Sequence, residues 1–454
     1  MIATIHPQPL SGTLPAIPSK SYAHRLLIAA ALSDAAAPVL VSYAGASEDI
    51  SATCRVLRAL GAEVEELTDA AGRPAGARVR PLERARLPQN PELDCGESGT
   101  TLRYILPVVA ALGCGAVVTG RGRLPQRPLE PLGGELRRQG IRLTGPASGD
   151  VLPLVLEGRL VPGDYALPGN VSSQFVGGLL YALSILEGES RLTVTQSFES
   201  RAYVAMTLEV LQSAGVVITE GASAENLPVW TLEGRGHLHA AENLTVEGDW
   251  SNAAFWLCAD AMRPKDTAPV GLTGLNAASL QGDRAVVEIL ESMGAAADAT
   301  GGAAADATGG ALALTAAQGL TGRVVCAAQI PDLVPVLAVA AGAAEGTTTF
   351  TDAGRLRIKE SDRLKSTAAL LSVLGVPHEE LPAGLVVHGL GDARRFRGGR
   401  ISSFGDHRIV MAAAVAATNG GGALTIEGAE ASAKSYPGFF EDLAKLGGRV
   451  ELER

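Results

Sequence analysis

The chain has 454 residues, too many for one compact core, so two domains are expected. It is 46% hydrophobic and 19% charged, the balance of a soluble globular protein, and with 4% aromatic residues its core must be built from Leu, Val, Ile and Ala. A net charge of −10 argues against a general nucleic-acid role, no apolar run is long enough to span a bilayer, and five scattered cysteines without a CxxC pair make a disulfide framework or a zinc site improbable.

Met1-Ile2-Ala3-Thr4-Ile5-His6 reads as a strand and not as a signal peptide, so a reducing, cytoplasmic location is expected. From there one pattern recurs along the chain: a small or polar residue opens a helix, and an Ala/Leu-rich run follows. It appears at Pro18-Ser19-Lys20-Ser21, Gly96-Glu97-Ser98-Gly99-Thr100 and Gly169-Asn170-Val171-Ser172-Ser173-Gln174. It returns at Gly248-Asp249-Trp250-Ser251, Ile330-Pro331-Asp332 and Phe404-Gly405-Asp406-His407-Arg408, about 75–80 residues apart. A second helix, ending in Gly and leading into a strand, follows each opening, with the glycines at Gly61, Gly140, Gly215, Gly294, Gly375 and Gly447. The spacing predicts six copies of a two-helix, several-strand unit, three per domain, in an α/β (α+β) fold, with the break near Ala240-Ala241-Glu242-Asn243. The low-complexity stretch from Ala295 to Gly310, an eight-residue segment written twice, reads as a duplicated loop without catalytic meaning.

Helix openings favour anions, because free N–H groups and the helix dipole point there. Lys20, Ser21 and Arg25 fall within two turns of one opening; Ser172, Ser173 and Gln174 supply hydroxyls and an amide at another; Ser200 and Tyr203 share a helical face. Such groups suit a phosphorylated, hydroxylated small molecule, although a Ser at a helix start is as often a plain N-cap. Arg355-Leu356-Arg357-Ile358-Lys359-Glu360-Ser361-Asp362-Arg363 is the densest charged cluster, and a helix from Lys359 onward would put Lys359 and Arg363 on one face. Arg123, Arg127, Arg408 and Lys434 add cations near other repeat ends. Asp332 opens an otherwise apolar helix, and on the residues alone an N-cap is its better reading.

Taken in order, Lys20-Ser21-x-x-x-Arg25, Gly96-x-Ser98-Gly99-Thr100-x-x-Arg103, Arg127-Pro128-Leu129, Ser172-Ser173-Gln174, Ile330-Pro331-Asp332, Lys359-Glu360-Ser361-Asp362-Arg363 and Asp406-His407-Arg408 cover nearly the whole chain. Together they resemble the 5-enolpyruvylshikimate-3-phosphate synthases, a family of enolpyruvyl transferases. The resemblance implies two similar domains of the inside-out α/β barrel type, residues 1–18 plus 244–454 in one and 19–243 in the other, with an active site in the cleft between them. It places Ser21, Arg25, Ser172, Ser173, Ser200 and Tyr203 on shikimate 3-phosphate, with Asp332 and Lys359 on its ring hydroxyls. Lys20, Gly99, Arg123, Gln174, Arg363, Arg408 and Lys434 match positions that hold phosphoenolpyruvate. Glu97, Tyr104 and Arg355 depart from the residues usual in the family.

The implied reaction is addition of the shikimate 5-hydroxyl to C2 of phosphoenolpyruvate, then loss of phosphate and a C3 proton. Asp332, Glu360 and Lys20 are the proton-transfer candidates. Two anionic substrates require many cations, and cations divided between two domains suggest closure on binding. No metal or organic cofactor, nucleic acid or membrane is expected, and a monomer is. The sister enzymes that use a UDP-sugar usually carry a Cys in the loop matching Thr119 to Arg127 and an Asn after the first lysine; this chain has no Cys there, and Ser21. A non-catalytic anion-binding relative would be expected to lack at least one of Asp332, Glu360 and Lys20. Gly99 stands where tolerant family members carry Ala, which implies sensitivity to glyphosate.

Overall fold

The six glycines that end the second helices all have positive φ: Gly61 101°, Gly140 85°, Gly215 81°, Gly294 111°, Gly375 73° and Gly447 89°. A Cβ at such a position is strained, which is why the marker is Gly each time. Helix starts, mostly those of the first helix of a repeat, are capped by short polar side chains. Ser98, Ser172, Asp249, Asp362 and Asp406 each accept a hydrogen bond from a backbone N–H two or three residues on. The computed structural model describes residues 1–146, 152–300, 311–315, 319–391 and 395–453.

Among the described residues the strands form six four-stranded sheets with one topology. In each, the first strand runs parallel to the second, the second antiparallel to the fourth, and the fourth antiparallel to the third. One example reads Glu92–Asp94, Ala116–Thr119, Leu154–Glu157, Arg142–Thr144 across the sheet. Helix Gly99–Leu112 makes its parallel crossover, and Leu132–Arg138 leads to its third strand. Three sheets borrow a strand from far along the chain; in one, Gly12–Pro15 takes first place beside Val270–Thr273. Asn243–Thr245 takes first place beside Val39–Ser42, and Ile2–His6 takes fourth place between Leu424–Glu427 and Arg449–Glu453.

The chain divides into two compact units, Met1–Ser19 with Glu247–Arg454, and Lys20–Val246. Residues 244–246, grouped above with the other domain, go with the second unit because their strand pairs with Leu40–Ser42, and Ser19, expected in the domain 19–243, goes with the first, where its N–H donates to the Glu247 carbonyl at 2.8 Å. Each unit holds three sheets and its own apolar core. In the first unit, helices Trp250–Ala261, Val334–Ala343 and His407–Thr418 pack on one another and are buried on nearly every face. A helix apolar all round belongs inside a core, so the sheets lie outside and the helices inside, the α/β architecture expected. The second helix of a repeat keeps a polar face, as Arg137 and Arg138 show at the end of Leu132–Arg138.

Three local expectations are corrected. Ala296–Thr300, the first copy of the Ala/Asp/Gly segment, is a strand paired with Ala311–Thr315 and not a loop; the second copy, up to Gly310, lies outside the described residues. Lys359 is not helical: it follows the turn Gly354–Ile358 in an extended conformation, and the helix begins at Arg363. Asp332 is not an N-cap, for its helix starts at Val334 and its carboxylate is engaged elsewhere.

Candidate active-site residues

In the unit Lys20–Val246, helix starts carry the functional groups. Lys20 opens Lys20–Ala31 and donates from Nζ to Asp49 Oδ2 at 2.9 Å, Asp49 lying in the first turn of Glu48–Ala59. One turn on, Arg25 is 2% exposed and ties two helices together. Its Nε donates to Thr207 Oγ1 at 2.9 Å, Nη1 to the Ser21 carbonyl and Nη2 to the Tyr203 carbonyl at 2.6 Å each. Ser21, Arg25 and Tyr203, predicted to share a ligand, are thus brought together. Ser200 sits beside them at the start of Arg201–Ser213 with φ 51°, an uncommon conformation for a non-glycine residue.

Ser172 caps helix Ser173–Ser184, its Oγ accepting from the Gln174 N–H at 3.3 Å. The Gln174 side chain is fixed from both sides: Oε1 accepts from Arg103 Nη1 at 2.7 Å, and Nε2 donates to Thr100 Oγ1 at 2.8 Å. This joins the N-terminal turns of two long helices, the setting that backbone N–H groups offer an anion. At the start of Gly99–Leu112, a Cβ added to Gly99 would lie 2.6 Å from Arg127 Nη1 and 2.9 Å from its Cζ. The space left by the missing side chain is therefore filled by the Arg127 guanidinium.

The departures have local accounts. The Tyr104 ring lies under the Arg25 guanidinium, 5.3 Å from ring centroid to Cζ, and its hydroxyl is 3.1 Å from Thr207 Oγ1. Its hydroxyl occupies space that a side chain at Gly177 would take. The Glu97 carboxylate packs over Gly122, the middle of the turn that carries Arg123. Arg355 donates to the Ala328 carbonyl at 2.9 Å.

In the unit Met1–Ser19 with Glu247–Arg454, the charged residues form one network. Arg363 donates from Nη1 to Asp332 at 2.6 Å, from Nη2 to Glu360 at 2.6 Å and from Nε to Asp406 at 2.8 Å. Lys359 Nζ lies 3.4 Å from Asp332 Oδ1, and Arg408 Nη2 lies 3.4 Å from Asp332 Oδ2. Lys434 donates to the Gly405 carbonyl at 2.8 Å, next to Asp406. Asp332, Lys359, Glu360, Arg363, Arg408 and Lys434 are therefore collected from four separate stretches of chain.

Burial raises the Asp332 carboxyl, but Arg408, Lys359 and Arg363 outweigh it and hold it well below the usual carboxylate range. Burial lowers the Lys359 ammonium to about 8, against the pull of Asp332 and with a further push from Arg363. Asp283 behaves oppositely to its neighbour: burial, then the Asp332 charge, raise it to about 6, with Arg408 and a hydrogen bond from Ser251 opposing. Two neighbouring acids driven apart in this way are a mark of a functional site.

Sequence reasoning assigned no role to Asp49, Arg103, Arg127, Thr207, Asp283 or Asp406. Arg103, Arg127 and Asp406 stood inside recognised motifs, so position was available as a signal. Asp49 reads as an ordinary acid in a first helical turn, and Thr207 and Asp283 carry no local signal.

The sequence matches the family described as EPSP synthase (3-phosphoshikimate 1-carboxyvinyltransferase) over residues 5–443. It is 37% identical over 448 residues to a 3-phosphoshikimate 1-carboxyvinyltransferase of Clostridium kluyveri, covering 99% of this chain and 98% of that one. The chain belongs to the EPSP synthase family. A Clostridium acetobutylicum member is 38% identical over 450 residues, covering 98% of this chain and 97% of the other. Among solved structures, an EPSP synthase from Acinetobacter baumannii aligns with a TM-score of 0.80 at 28% identity over 100% of both chains. An enolpyruvyl transferase from Streptomyces tendae, at 22% identity and a TM-score of 0.75 over 99% of this chain and 98% of that one, shares the fold. This family member is an enzyme of enolpyruvyl transfer, and among its described residues no helix is long and apolar enough to cross a membrane.

Proposed function

We propose that the residues above divide the work of one transfer, in which the enolpyruvyl group of phosphoenolpyruvate passes to the 5-hydroxyl of shikimate 3-phosphate and phosphate leaves. The reaction belongs to the shikimate pathway, toward chorismate and the aromatic amino acids, as family membership supports. The observation that carries the assignment of roles is the network centred on Asp332 and Arg363, in which three cations and three carboxylates meet.

Ser21, Arg25, Ser172, Ser173, Ser200 and Tyr203 hold shikimate 3-phosphate, while Lys20, Gly99, Arg123 and Gln174 take phosphoenolpyruvate from the same unit. Arg363, Arg408 and Lys434 add positive charge from the other. Arg363 already has three carboxylate partners, so a substrate carboxylate or phosphate must compete with them for its remaining donor capacity. Asp332 is ionised at neutral pH, with Lys359 beside it. It accepts a hydrogen bond from the 5-hydroxyl and takes its proton as the new C–O bond forms. Glu360 and Lys20 are the remaining proton-transfer groups, for delivery to and removal from C3. Lys20, Arg123 and Lys434 stabilise the charge that develops on the phosphate-bearing intermediate. The enzyme works as a cytoplasmic monomer.

The test is phosphate release on mixing the protein with phosphoenolpyruvate and shikimate 3-phosphate, each omitted in turn. Release that requires both is the expected result. Release with a UDP-sugar in place of shikimate 3-phosphate, and none with the latter, would overturn the acceptor assignment.

A further inference from the structure

Asp34, His237 and His239 stand outside every residue assigned above. Asp34 follows helix Lys20–Ala31, whose twelve residues place it about 18 Å from the Lys20 end. The segment carrying the histidines runs toward the strand Asn243–Thr245. The two segments are locked by backbone pairing: Leu238 N–H donates to the Leu32 carbonyl at 3.2 Å, and Asp34 N–H to the Leu238 carbonyl at 2.9 Å. His239 N–H also donates to Ala214 at 2.8 Å. Leu238 is fully buried. In an extended segment the residues on either side of it point the opposite way, so both imidazoles face outward together.

There they converge on one carboxylate. His239 Nδ1 is 2.8 Å from Asp34 Oδ1, and His237 Nε2 is 3.5 Å from Asp34 Oδ2. The ring centroids are 5.0 Å apart at 74°, and one ligand atom from each of the three residues lies within 4.8 Å of the others. A tetrahedral ion with bonds of about 2.1 Å requires donors about 3.4 Å apart. The observed separations, 2.8 Å, 3.5 Å and at most 4.8 Å, bracket that figure.

We propose that Asp34, His237 and His239 form a surface site for a divalent first-row transition-metal ion of the Zn2+ class, with water completing its coordination. Two imidazoles and one carboxylate suit Zn2+, Co2+ or Ni2+, whereas Mg2+ and Ca2+ call for an oxygen shell. The ligands come from positions about 200 residues apart, which only folding brings together. Bound metal therefore clips the last passage of the unit Lys20–Val246 onto the exit of its first helix, and favours the folded state by mass action. It plays no part in enolpyruvyl transfer.

The test is calorimetric titration of the metal-free full-length protein with Zn2+ and, separately, Mg2+, joined to thermal melts. One Zn2+ per chain, no Mg2+ response and a raised melting point with Zn2+ are expected. His237→Ala and His239→Ala should each weaken Zn2+ binding at least tenfold and abolish the thermal shift, with turnover unchanged. Undiminished binding in the double variant, or no Zn2+ binding by the wild type, would overturn the proposal. The Co2+ spectrum of the wild type gives an answer that does not depend on any variant. Weak d–d bands of nitrogen and oxygen ligation are expected; a thiolate charge-transfer band would place the ion on a cysteine such as the exposed Cys326 and reject the site.

Discussion

Replacing Asp332 by Asn changes one atom and removes the anion that Lys359, Arg363 and Arg408 share, at 3.4, 2.6 and 3.4 Å. The wild-type network sets Asp332, Glu360 and Asp406 against those three cations, so the variant is left with an excess positive charge. At an effective dielectric of about 20, each lost contact is a gross attraction of about 5 kcal/mol, most of which desolvation already offsets. Arg363 keeps Asp406 and Glu360 as partners, and the Asn oxygen still accepts from it. The net cost to stability is therefore about 1–3 kcal/mol, too little to unfold the unit. Turnover has no such reserve. Loss of a positioned base typically costs about 10²- to 10⁴-fold, and the extra cation should leave binding of the anionic substrates intact or tighter. Phosphate release under single-turnover conditions, with substrate affinities measured separately, distinguishes the two effects. A folded Asp332→Asn protein turning over within about tenfold of wild type would refute the role given to Asp332.

Three further outcomes are expected. Lys359 loses its proton near pH 8, so kcat/KM for shikimate 3-phosphate should fall through that pH, and Lys359→Arg should move the limb upward; an unmoved limb would exclude Lys359 as its source. The folded Asp283 carboxyl is raised to about 6, above its unfolded value, so it favours the folded state at low pH, and this contribution is lost as pH rises toward 6. Asp283→Asn should then gain relative stability on going from pH 4.5 to 7.5, and melts showing an equal or larger gain at pH 4.5 would contradict that reasoning. Gly99→Ala brings a Cβ to 2.6 Å from Arg127 Nη1, so the guanidinium must move by nearly an ångström. The Michaelis constant for phosphoenolpyruvate should rise more than that for shikimate 3-phosphate, and glyphosate, expected to inhibit the parent enzyme, should inhibit the variant less; equal effects on both substrates would show that Gly99 does not lie on the phosphoenolpyruvate side.

The repeat was readable because its markers obey local rules. A glycine at positive φ and a polar cap before an apolar run are fixed within a few residues of chain. Strand order was not readable at the three places where it depends on distance, Gly12–Pro15 beside Val270–Thr273 among them. Nothing in Asn243-Leu244-Thr245 announces a partner at Leu40–Ser42, and nothing in Ile2–His6 names Leu424–Glu427. The same limit governed the site. Asp332 looks like a cap because the apolar run begins just after it, yet Arg363, 31 residues on, claims its carboxylate. Lys359 was drawn into the helix of Arg363 because the charges are continuous, whereas Asp362 caps that helix and leaves Lys359 extended. Asp34 and the two histidines are individually unremarkable in sequence, and only the bridge between Ser33 and Leu238 makes them neighbours.

The place of Ile2–His6 in its sheet has a consequence for how the molecule comes off the ribosome. Residues 20–246 contain everything their own three sheets need, so that unit has all its partners once Val246 has emerged. Ile2–His6, made well before residues 20–246, has its neighbours at Leu424–Glu427 and Arg449–Glu453. At about 5–20 residues per second, it waits roughly 20 to 80 seconds for them. Ile2–His6 is thus made early and paired late, and throughout that interval its apolar Ala3 and Ile5 have no sheet to enter.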